Sequence, residues 1–61
     1  MAEKRKYLVN GVIVLFIISD EVNRIWAHAL GQTVDVPWGT NVDADLAKCI
    51  LGTVQTRLGT A

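Results

Sequence analysis

The 61-residue chain has one cysteine, one histidine, one proline, one tyrosine and one phenylalanine. A single cysteine, Cys49, rules out an internal disulfide, so no covalent staple holds the fold. With only His28 beside it, a zinc site would need carboxylates or ligands from other copies. Nothing in their spacing brings Cys49 and His28 together as a nucleophile and base. No Gly-x-Gly phosphate loop and no nucleophile elbow occurs. The expectation is therefore a non-enzymatic protein without metal or cofactor. Six Lys and Arg balance six Asp and Glu, so no global field draws the chain to nucleic acid, which is not an expected partner.

The chain is not short of apolar residues. They make up 51% of it, which excludes disorder by composition. A chain this short has only a marginal core as a monomer, so help is expected from lipid or from other subunits. Cys49 is expected to pack as a small apolar residue.

The segment Tyr7 to Ile18, YLVNGVIVLFII, is apolar except for Asn10 and Gly11. Lys4, Arg5 and Lys6 precede it, a cluster suited to a membrane surface near anionic headgroups. Basic cluster and apolar run together resemble a signal-peptide start, and Ala27-His28-Ala29 has the A-x-A pattern. The charged DEVNR between them argues against cleavage, so the run is kept in the working chain. As a membrane helix its twelve residues would rise about 18 Å against roughly 30 Å of hydrocarbon.

The leading reading of the first half is a long helix from about Lys4 to Leu30, with Gly11, Val14 or Leu15, Ile18, Val22, Ile25 or Trp26, and Ala29 forming one stripe. The competing reading is a β-hairpin turning at Asn10-Gly11, a type I′ signal, with a separate helix from Asp20 to Leu30 capped by Ser19. The density of β-branched residues favours this alternative. Gly31 suits the end of a first helix. The segment Gln32 to Gly39 reads as a loop, pinned to a surface by Trp38.

A C-terminal helix is expected from about Val42 to Leu58, started by Thr40, Asn41 or Asp43. Leu46, Cys49, Ile50, Thr53, Val54 and Leu58 form its apolar face, and Gly52 is read as the mark of a close helix contact. Asn41, Asp43 and Asp45 alternate as a calcium loop begins, but Leu46 and Gly52 occupy the positions of its essential Gly and Glu, so they are read as caps.

The expected fold is all-α, an antiparallel helical hairpin in one domain. Its function would be that of a structural or assembly subunit working through an apolar association helix, in a membrane or a multisubunit complex. Association residues would be Leu15, Ile18, Val22, Ile25, Trp26, Trp38, Leu46 and Ile50, with Lys4, Arg5 and Lys6 at a membrane surface. Expected partners are copies of the chain itself, other subunits or a bilayer, and the expected location is a membrane or a large assembly, with the cytoplasm as alternative. The alternative function is a soluble homo-oligomeric capsid, scaffold or interaction module; a third is a small nucleic-acid-associated regulator using Lys4 to Lys6. The layout, a basic start, one apolar run and an amphipathic tail, resembles that of small phage-type membrane or virion components, although no motif carries the resemblance.

Overall fold

The computed structural model describes residues 2–59. Four strands, β1 (Ala2–Val9), β2 (Val12–Ser19), β3 (Arg24–Ala29) and β4 (Gln32–Val36), precede one helix, α1 (Ala44–Gly59). The strands form an antiparallel meander in the order β1-β2-β3-β4. This overturns the all-α helical hairpin: the stretch from Lys4 to Leu30, expected as one long helix, is three strands and two turns. The alternative hairpin at Asn10-Gly11 forms, but its separate helix from Asp20 to Leu30 does not, because β3 occupies that stretch.

Two local causes favour strands. Asn10 and Gly11 both take positive φ (49° and 77°), as do Leu30 and Gly31 (50° and 74°). These are the angles of type I′ turns, whose twist matches the strands they join. Gly31 therefore turns a hairpin and does not end a helix. The second cause is Val12-Ile13-Val14 and Ile17-Ile18, β-branched residues that lose rotamer freedom in a helix and fit a pleated surface. The apparent helical stripe misleads because β2 is apolar at nearly every position, so spacings of three and four appear whatever its conformation.

The pleat divides β2 into two apolar faces. Val12, Val14, Phe16 and Ile18 point to α1, while Ile13, Leu15 and Ile17 point away from it. Cross-strand partners add Tyr7, Val9, Ile25, Ala27, Ala29, Val34 and Val36 to the helix-facing layer. From α1 come Ala47, Ile50, Leu51 and Val54, all buried and spaced three, four and seven residues apart on one face. That face is rotated from the expected one: Ala47 and Leu51 lie inside, whereas Cys49, Thr53 and Leu58 are exposed. A Cβ added at Gly52 would meet nothing within 4 Å, so this glycine marks no close contact within the chain.

Asp43 is the N-cap among the three candidates, its Oδ1 accepting the Leu46 backbone N–H at 2.8 Å. The connector before it is tied to β1 through one carbonyl. Val42 O accepts from Tyr7 Oη at 3.3 Å and from Arg5 Nη1 at 3.2 Å. Tyr7 also packs edge-on to Phe16, with centroids 5.8 Å apart and planes at 80°. Buried Val42 thus closes the core at the start of the helix.

Among the described residues no helix is long and apolar enough to cross a membrane. The membrane span proposed for Tyr7 to Ile18 fails as a helix, because the segment is the end of β1, a turn and most of β2.

Candidate functional site

One layer of helix covers one face of the sheet, and the other face is open. The register sets out that open face in rows. Ser19 and Arg24 lie side by side beyond Ala2; then come Lys4, Ile17, Trp26 and Asp35; then Lys6, Leu15, His28 and Thr33; and last Leu8 beside Ile13. Leu8 is 74% exposed and Ile13 57%. Leu15, Ile17 and Trp26 are half-buried by their neighbours in the sheet. An apolar column along β2 is therefore flanked by Lys4 and Lys6 on one side and by Arg24, Trp26 and His28 on the other. His28 Nδ1 pairs with Thr33 Oγ1 at 3.0 Å.

The pleat splits the basic cluster. Lys4 and Lys6 point to the open face, while Arg5 lies on the helix side, where it pairs with Glu3 and donates to Val42. The hydrogen bond and charge of Glu3 raise the Arg5 guanidinium further above its ordinary value, and Arg5, a cation at any working pH, is engaged by Glu3 and the Val42 carbonyl.

The eight residues expected to mediate association do not converge on one surface. Ile25 and Ile50 are buried in the core, and Ile18 and Leu46 pack against it. Leu15 and Trp26 lie on the open face. Val22 is exposed in the turn between β2 and β3, and Trp38 is exposed in the connector. Trp38 lines a shallow groove of about 290 Å³ with Glu3, Arg5, Ile18, Ile25 and Val42 among its other walls. The groove offers neither a thiol nor an imidazole, and its charged residues Glu3 and Arg5 pair with each other. Among the described residues no group of three or more His, Cys, Asp or Glu could hold a metal ion.

What sequence reasoning missed is the pair of sheet edges, which exist only once the strands are recognised. In an antiparallel ladder, hydrogen-bonded and non-bonded pairs alternate. The Leu30-Gly31 turn closes on Ala29 and Gln32, so alternation leaves the N–H and C=O groups of Thr33 and Asp35 pointing out from β4. By the same argument Lys4, Lys6 and Leu8 present theirs from β1. The two edges differ in protection. Lysines are common guards of an exposed edge, and β1 has two at its outward positions. β4 has Asp35 as its only charge, and Pro37 directly follows it. At β4 the Thr33 carbonyl already accepts a 3.5 Å hydrogen bond from Arg57 Nη1 of α1.

Comparison with protein-family models, with curated proteins and with solved structures yields no match for this chain.

Proposed function

We propose that the chain is a non-enzymatic structural module that works by joining copies of itself, and that copies join through the free edge of β4. The observation that carries this reading is the contrast between the edges: β1 is guarded by Lys4 and Lys6, and β4 lacks any lysine or arginine. A twofold antiparallel pairing centred on Val34 puts Thr33 opposite Asp35 of the second copy, twice by symmetry. Their outward groups then complete each other's hydrogen bonds, and no carboxylate faces its own copy. Val34 would meet its symmetry mate on the helix side, continuing the apolar layer into an eight-stranded sheet. Pairing β1 with β1 about Arg5 or Lys6 would oppose lysines, and like charges directly across a ladder are unfavourable. Such a module suits a scaffold or a shell, in which a small core gains stability from its neighbours.

Sedimentation equilibrium across protein concentration tests the idea. The wild type is expected to form a finite dimer, and Asp35→Pro, which removes one outward N–H without breaking the β3–β4 ladder, to shift it toward monomer. Asp35→Asn separates the charge from the N–H. A wild type that stays a compact monomer at all concentrations, or a dimer indifferent to Asp35→Pro, would sink this reading. Open-ended growth would point to β1–β4 pairing between copies instead.

A second reading concerns the open face, where Lys4, Lys6, Arg24 and His28 share the strand rows with Asp35 around Trp26. A single-stranded nucleic acid has the matching chemistry, phosphates for the cations and a base to stack on the indole. Trp26 fluorescence in a Trp38→Phe background is the readout. Quenching by an oligonucleotide that weakens with salt and is lost in Lys4→Gln/Lys6→Gln is expected; salt-independent or absent quenching would remove the reading.

A further inference from the structure

We propose that Arg57 is a removable guard on the β4 edge, so that release of its hydrogen bond to Thr33 sets how readily two copies pair; this rests on the β4-edge reading above. Four main-chain groups point outward from β4 by register, and the Thr33 carbonyl is one of them. Arg57 reaches it from the last turn of α1, across 24 residues of sequence. In the twofold register centred on Val34, that carbonyl must accept the Asp35 N–H of the arriving strand. Arg57 and the arriving strand thus compete for one acceptor.

The kind of protection differs between the two edges. On β1 the guards belong to the strand itself, so Lys4 and Lys6 stay at the edge as long as the strand exists. On β4 the guard belongs to another element and reaches the edge on a long flexible stem. Its bond is exposed and, at 3.5 Å, lies at the outer limit for a hydrogen bond, which makes it easy to exchange for a strand. Such an arrangement keeps isolated copies apart when dilute and lets them pair when concentrated. Removing Arg57 leaves the carbonyl open to the second copy without disturbing the core, because Arg57 is exposed and Ala is at least as good a helix former.

The test is the dimer dissociation constant of the full chain, measured by sedimentation equilibrium for wild type, Arg57→Ala, Arg57→Gln and the double variant Arg57→Ala/Asp35→Pro. Circular dichroism confirms that each is folded. Both single variants are expected to dimerise more tightly, on the order of threefold to tenfold, the range of two weak exposed hydrogen bonds, one lost from each copy. The double variant should lose that gain. Unchanged or weaker dimerisation in both Arg57 variants, with a wild-type dimer sensitive to Asp35→Pro, overturns the guard alone, whereas a monomer in all of them overturns the guard and the β4-edge reading together. If wild type and variants dimerise alike with or without Asp35→Pro, the β4-edge reading itself fails, an outcome separable from failure of the guard alone.

Discussion

Phe16 is the largest fully buried side chain, enclosed by Tyr7 and the helix-facing layer. Truncation to Ala removes a whole ring from a close-packed site and should cost about 3–5 kcal/mol. For a domain of this size that approaches the total stability, so urea denaturation followed by circular dichroism should find Phe16→Ala largely unfolded. Ile13, one position along the pleat from Val14, faces out, and Ile13→Thr should change stability by no more than about 0.5 kcal/mol. The sequence marks both residues as equally apolar, because a strand apolar on both faces carries no alternation to read. Which side is inside depends on where α1 lies, and that is a tertiary fact. Asp43 was legible to a greater degree: its place before an apolar-periodic run named it as one of three caps, and its bond to Leu46 selects it. Asp43→Ala should lower stability by about 1 kcal/mol.

Among the elements, α1 was the readable one. It has one apolar face, acidic Asp45 at its start and Arg57 in its last turn, signals that belong to a helix alone. Even so its buried face differs from the expected one, because Cys49 and Thr53 are exposed while Ala47 and Leu51 fill the interior. Gly52 follows from this correction. With open space around its missing Cβ, Gly52→Ala should raise the midpoint of thermal unfolding, stabilising the chain by about 1 kcal/mol. The two type I′ turns differ in legibility for a reason of backbone sterics. Asn10-Gly11 is built from the residue types that tolerate positive φ. Leu30 holds φ 50° without such a side chain, and it conceals the second turn from any reading by residue type. Leu30→Asn should relieve this, stabilising the chain by about 0.5–1 kcal/mol in urea denaturation, since Leu30 is half-exposed and loses little burial.

At the scale of the whole molecule, length and apolar content raise the expectation of association, whereas the surface that could serve it is not legible in the sequence. Edges and an open face are properties of a sheet, and a helical reading has neither. The expected association stripe dissolved because the pleat sends neighbouring residues to opposite sides, Ile25 into the core and Trp26 onto the open face. A chain whose stability depends on joining copies should unfold at a temperature that rises with protein concentration. Calorimetry over a hundredfold dilution should show that rise in the wild type and little of it in Asp35→Pro. The order of elements along the chain has a consequence for synthesis. All four strands precede α1, so the residues of the sheet are synthesised before those that cover it. Until α1 docks, Val14, Phe16 and Ala27 would be as bare as Ile13 and Ile17, and the strands without their helix would be apolar on both sides. Pairing between copies would be most hazardous then, and Arg57, near the far end of the helix, reaches the Thr33 carbonyl only once the helix has docked.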